Sequence, residues 1–194
     1  MNGPLIESRF LPLGDYYFGG ETVRIQTVLG TCVSITLWHP GRKQGGMCHY
    51  LLPERTPHSG TAGEKRGAYA TEVMELFAES LRETGTLPRD YVVKLFGGGH
   101  MFPEQLSAPE CRSRRCTDAR RQSCANVGCK NICAGRRLLA ERGFVIQAED
   151  VGGHGSRQVH FDVWSGDVWV RQGGPVPGAP IQGRQIIKQI DGAV

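Results

Sequence analysis

The sequence predicts an α/β fold, with a mixed or largely antiparallel sheet and helices packed against it. Three observations carry this. Val33, Ile35 and Leu37 alternate with Cys32, Ser34, Thr36 and Trp38, the period of a half-buried strand. Ala70, Val73, Met74, Phe77 and Leu81 recur at helical spacing, with glutamates and Arg82 on the opposite face. Residues 144–149, 158–163 and 167–171 then complete a largely antiparallel set of short strands.

Taken in order, residues 5–17 read as an irregular lead-in with room for one short strand, and 21–29 alternates as a strand leading toward Cys32. His39-Pro40-Gly41-Arg42 supplies turn chemistry, and Gly45-Gly46 precedes a second run through Met47, Cys48, His49, Tyr50 and Leu51, so the two runs are expected to pair as antiparallel neighbours. Residues 54–65 are a loop. A helix is expected over 66–84, with Gly85 as its C-cap and Pro88 forbidding continuation. Residues 91–96 form a short strand that runs into Gly97-Gly98-Gly99. A second helix is expected over 127–142, capped by Asn126, with Ile132, Leu138 and Leu139 facing inward. Gly173, Gly174 and Gly178 with Pro175, Pro177 and Pro180 open a loose tail over 173–194.

The chain's 194 residues suit one domain, over 1–172, with that tail. No run of about 18 apolar residues is present, and Pro4, Glu7, Arg9 and Pro12 are foreign to a secretory leader, so a cytoplasmic protein without membrane insertion is expected. Seven cysteines, an odd count, point to reduced thiols. Between Cys111 and Arg137 stand eight basic residues against Asp118 alone, more than the net charge of +4, so the rest of the chain is acidic on balance. Such a patch steers an acidic partner or is simply solvated. Cys111, Cys116, Cys124, Cys129 and Cys133 in this stretch offer a rival zinc-binding reading, but their spacing lacks the paired knuckles of ordinary zinc sites. The stretch has no aromatic residues for base stacking, so no nucleic-acid partner is expected.

Cys32 and His49 are the candidate chemistry. A thiol attacks as its thiolate, and a nearby imidazolium favours that form and later protonates a leaving group, which is the chemistry of acyl transfer. Buried cysteines more often serve as small hydrophobes, and the local pattern is what raises the catalytic reading. Cys32 lies at the start of the first strand and His49 toward the end of the second, so hairpin pairing puts them opposite each other. Gly30 permits a tight backbone there, and the main-chain N–H groups of Thr31 and Val33 are candidate oxyanion donors. The triple glycine 97–99 has neither phosphate-loop spacing and reads as close backbone approach beside the site, where side chains would block a substrate. His100 follows these glycines and reads as structural or solvent-facing rather than as a second base, whereas His154, among Gly152, Gly153 and Gly155, stands where it could touch a substrate.

These residues resemble the CheD family, the bacterial chemoreceptor glutamine deamidases. The resemblance is carried by Leu29-Gly30-Thr31-Cys32-Val33, Gly45-Gly46-Met47-Cys48-His49 and Leu52-Pro53, then by Lys94 to Phe102, Asn126 to Asn131 and Asp150 to Gly153 with Arg157. It implies a layered α/β/β sandwich, a cysteine nucleophile at Cys32 with His49 as its partner, and no metal or organic cofactor. It also implies chemoreceptor cytoplasmic domains as substrate, a CheC-type phosphatase as a further partner, and receptor methylesterase activity as a side reaction. The third catalytic member is implied as a threonine six positions before the nucleophile. Gln26 stands there, with Thr27 one residue later, so Thr27 is expected to serve only if a bulge or register shift turns it inward. Lys130 stands where the family usually has arginine, and 103–125 is an expansion where the family is normally short. A catalytically weak adaptor that only binds receptors or the phosphatase is the alternative.

Overall fold

The structure is a computed structural model and describes residues 6–20, 22–56, 65–101, 126–173 and 184–187. In chain order the strands are β1 (Glu7–Phe10), β2 (Tyr16–Gly19), β3 (Val23–Leu29), β4 (Val33–His39), β5 (Gln44–Cys48), β6 (Val92–Gly97), β7 (Ile146–Val151), β8 (Arg157–Asp162), β9 (Val168–Gln172) and β10 (Arg184–Ile187). The helices are α1 (Ala70–Thr84) and α2 (Val127–Glu141).

Among the described residues the strands form two five-stranded sheets, ordered β1-β3-β8-β9-β10 and β2-β5-β4-β6-β7. β1 pairs with β3 and β6 with β7 in parallel, and the other pairings are antiparallel. The alternation read in β4 divides two cores. Val33, Ile35 and Leu37 pack with Val73, Met74 and Phe77 of α1 and Ile132 and Leu139 of α2. Trp38, Met47 and Phe96 pack from the other face against Ile25, Val159, Phe161 and Val170 of the second sheet. The result is three layers, helices on one sheet and that sheet on another, the α/β/β sandwich that the resemblance implies.

Local chemistry sets the element ends. Gly85 takes the left-handed conformation (φ 63°) that ends α1, and the Asn126 side chain accepts from Cys129 N–H at 3.2 Å to start α2. α1 begins at Ala70 rather than at residue 66, because Tyr69 is extended and separates it from a single 3-10 turn at Arg66–Ala68. The lead-in holds two strands where one was expected. Gly45 and Gly46 lie inside β5 rather than in the turn. A Cβ on Gly46 would sit 2.7 Å from the Phe18 ring and 2.8 Å from the Tyr17 carbonyl, so the strand pairing itself demands glycine there. In the stretch expected to be a loose tail, Arg184–Ile187 pairs with β9. The expanded segment 103–125 lies outside the described residues. No described helix is long and apolar enough to cross a membrane.

A buried polar knot ties the two sheets at one end. Arg157 of β8 is 2% exposed and donates to the Asp150 carboxylate at 2.7 Å and to the carbonyls of Asp150 and Gly152. Gln172 of β9 donates to the same carboxylate at 3.0 and 3.2 Å. Asp150 belongs to β7, in the other sheet.

Candidate active site

The site lies in the seam between the two sheets. β3 alternates strictly, with Val23, Ile25, Thr27 and Leu29 buried. Its pairing with β8 runs in unbroken register from Arg24 to Leu29. Thr27 therefore faces inward without any bulge. Gln26 points the other way and hydrogen-bonds Ser8 at the surface. The expectation that Thr27 needs a register shift is corrected: on a regular strand it is the inward residue, and Gln26 the outward one.

The Thr27 hydroxyl donates to the Leu11 carbonyl at 2.8 Å and lies 2.9 Å from His49 Nδ1. A hydroxyl has one proton. With that proton on Leu11, Thr27 Oγ1 accepts from His49 Nδ1–H, and the neutral ring is left with its lone pair on Nε2. That Nε2 atom is buried and has no hydrogen-bond partner. The residue-level elements of an oriented base are thus together: a fixed tautomer, a second-sheet orienter and an unengaged basic nitrogen.

β4 and β5 present the cysteine to this seam. Val33 N–H donates to the Tyr50 carbonyl at 3.1 Å, and Tyr50 N–H returns the bond to Val33 at 2.9 Å. Residues flanking that pair, Cys32 and His49, face the seam rather than the helices. They are diagonal neighbours across the ladder, a relation of roughly 7–8 Å between backbones and less between side chains. Ser34 stands opposite His49. The expected direct opposition of Cys32 and His49 is corrected to this diagonal.

Burial pushes the Cys32 thiol above its ordinary value, with the Thr31 side chain and the Cys32 main chain opposing through hydrogen bonds. Burial also pushes the His49 imidazole below its ordinary value, with the Leu11 carbonyl and the Asp15 charge opposing. Both shifts favour uncharged forms. The resting pair is thiol and neutral imidazole rather than the ion pair that residue types suggested. Cys48, the neighbouring thiol, is fully buried on the helix side, accepts from Ile35 N–H at 3.3 Å and is pushed up to about 12 by burial. It is inert by comparison.

The main-chain donors divide. Val33 N–H is committed to Tyr50, which removes it from the oxyanion reading. Gly98 N–H donates to the Cys32 carbonyl at 2.7 Å and Gly99 N–H to the Gly30 carbonyl at 2.8 Å. Gly97 has φ 111°, and a Cβ there would overlap the Cys32 carbonyl oxygen. The glycines do give close backbone approach, and what they approach is the nucleophile's own loop. His100 and His154 come together, ring centres 6.0 Å apart, and Asn126 Nδ2 donates to His100 Nδ1 at 3.0 Å. Burial first, and then the neighbouring His154, push the His100 imidazole below its ordinary value, which favours its neutral form. Of the five cysteines in the zinc reading, Cys111, Cys116 and Cys124 lie outside the described residues.

Sequence reasoning missed the Leu11 carbonyl, because a main-chain acceptor leaves no residue signature. It also missed Asn131, although the 126–131 motif contained it. Asn131 Nδ2 donates to the Thr31 carbonyl at 3.1 Å and the Leu51 carbonyl at 2.7 Å.

A family model described as "CheD chemotactic sensory transduction" matches residues 51–172. That span begins just beyond His49, so the roles of Thr27, Cys32 and His49 are argued from their own geometry. The chain is similar to "Probable chemoreceptor glutamine deamidase CheD 3" of Dechloromonas aromatica, 43% identical over 161 residues, 83% of this chain and 85% of that one. It is 42% identical over 169 residues to "Probable chemoreceptor glutamine deamidase CheD 1" of Chromobacterium violaceum, 87% of this chain and 79% of that one. A relative of the same description from Pseudomonas syringae pv. syringae is 39% identical over 172 residues, 88% of both chains.

Proposed function

Because the chain belongs to the CheD family, we propose that it is a protein-glutamine deamidase acting on chemoreceptors, with Cys32 as nucleophile, His49 as general base and acid, and Thr27 as the group that orients His49. The observation that carries this reading is the Thr27 to His49 hydrogen bond, which leaves Nε2 as the basic atom on the face shared with Cys32.

In the first half-reaction Cys32 Sγ bonds to the side-chain amide carbon of a substrate glutamine as its proton passes to His49 Nε2. The carbonyl becomes an oxyanion held by main-chain N–H groups of the Thr31–Cys32 turn. The C–N bond then breaks as His49 returns the proton to nitrogen, and ammonia leaves a thioester. Water adds next, giving its proton to His49, and the C–S bond breaks to release glutamate and the thiol. Because both partners rest neutral, transfer of the Cys32 proton to Nε2 is part of the first step and accompanies formation of the C–S bond. A glutamyl methyl ester would enter the same thioester with methanol leaving, so receptor methylesterase activity is the side reaction this mechanism predicts. Action on the receptor's cytoplasmic part puts the enzyme in the cytoplasm, and a CheC-type phosphatase occupying the seam would compete with the receptor.

Intact and peptide mass spectrometry of a chemoreceptor cytoplasmic fragment tests the reading. Incubation with the wild-type protein is expected to add about one dalton per converted glutamine, and incubation with Cys32→Ala to add none. Binding without any mass change by the wild-type protein would overturn it in favour of an adaptor.

A further inference from the structure

We propose that Asn131 is a positioning residue of this reaction, orienting the Cys32 N–H as an oxyanion donor by holding the Thr31 carbonyl. The inference rests on the catalytic reading of Cys32. Asn131 is fully buried on α2, at the end of the motif that begins with the helix cap Asn126. One amide nitrogen serves two strands, with a proton to Thr31, just before Cys32, and a proton to Leu51, two residues past His49. The Asn131 main-chain carbonyl accepts from Tyr50 O–H at 2.8 Å, which ties the helix to the residue after His49 as well.

Position in the ladder explains why a side chain is needed. Val33 and Tyr50 make the last rung, and beyond it the two strands part toward Thr31 and Leu51. Their carbonyls would lack ladder partners, and the Asn131 amide supplies a substitute rung. Aspartate would place acceptors against two carbonyls, and a shorter residue would leave both unpaired in a buried place.

Planarity of the peptide carries this hold to the reacting centre. The Thr31 carbonyl and the Cys32 N–H belong to one trans peptide group, so fixing the first direction fixes the second. The neighbouring carbonyls are fixed too, Gly30 by Gly99 and Cys32 by Gly98. Since Val33 N–H is committed to Tyr50, the peptide that Asn131 holds is the one that offers its donor at the nucleophile itself.

Two chemical probes of the same thiol separate this role from a merely structural one. Iodoacetamide alkylates Cys32 by displacing iodide at a saturated carbon, and no oxyanion forms. p-Nitrophenyl acetate acetylates it through a tetrahedral oxyanion. Both products are read on the Cys32 peptide by mass spectrometry, with Asn131→Ala and with Asn131→Leu, which fills the vacated volume and keeps a folded variant available. Alkylation at a rate within about twofold of wild type, with acetylation slowed at least about tenfold, is expected. Deamidation of the receptor fragment should lose kcat by a similar factor with KM little changed. Equal slowing of alkylation and acetylation, or wild-type acetylation, would overturn the proposal. Deamidation by Cys32→Ala would instead bring down the catalytic reading beneath it.

Discussion

Burial acts on Cys32 and His49 with opposite signs and one consequence, since it raises the thiol and lowers the imidazole and so keeps both uncharged at neutral pH. Iodoacetamide labelling of Cys32 should therefore follow one titration with a midpoint above 9.0, with no reactive plateau between roughly pH 5 and 8 as a thiolate-imidazolium pair would give. The acid limb of kcat/KM should fall below 6.5, where protonation of His49 removes the base. Stability carries the same sign: the unfolded histidine binds a proton more readily, so this contribution is full above 6.5 and is lost as pH falls below it. Thr27 holds the tautomer that makes Nε2 basic. Thr27→Val keeps the shape and removes the acceptor for Nδ1–H, and is expected to lower kcat about 10²-fold, while Thr27→Ser retains most activity. Steady-state kinetics on the receptor fragment checks both, and wild-type kcat in Thr27→Val would remove Thr27 from the mechanism.

Elements deliver these residues because the two sheets are locked in one relative position. Arg157 and Asp150 join β8 of one sheet to β7 of the other, with Gln172 of β9 on the same carboxylate. Replacing Arg157 with leucine leaves Asp150 without its cation and should cost about 3 kcal/mol in chemical denaturation. Arg157→Lys should recover only part of this, since one ammonium cannot reproduce the planar fork that reaches a carboxylate and two carbonyls. Gly97, where β6 ends beside the nucleophile, is bound by two constraints, a positive φ and contact with the Cys32 carbonyl. Gly97→Ala is expected to destabilise by more than about 1 kcal/mol and to cut activity further than that loss explains. Melting temperature and kcat measured on the same preparation would separate the two effects.

At the scale of the whole molecule, what was legible in the sequence follows from period and punctuation. The alternation of β4, the spacing of α1 and the Asn126 and Gly85 caps each express a local preference that the sandwich leaves intact. What local pattern could not carry was set by partners distant in sequence. Gly45 and Gly46 look like turn residues until Leu37 and Phe161 crowd the first and Tyr17 and Phe18 the second, and Arg184–Ile187 looks like tail until β9 offers an edge. The site divides in the same way. Cys32 and His49 were visible as residue types flanking a hairpin, whereas a count of six positions pointed at Gln26 and only the facing sheet identified Thr27. Asn131 depends on two carbonyls from separate strands meeting one helix, a relation absent from any window of sequence. All of these meet at one chemical claim, that a Cys32 thioester links glutamine to glutamate. Turnover of the receptor fragment in hydroxylamine tests it most directly. Interception of the thioester should yield a glutamyl hydroxamate about 16 daltons heavier than the parent glutamine, in competition with glutamate and absent with Cys32→Ala. Conversion to glutamate that persists in Cys32→Ala, with no hydroxamate formed, would contradict the account.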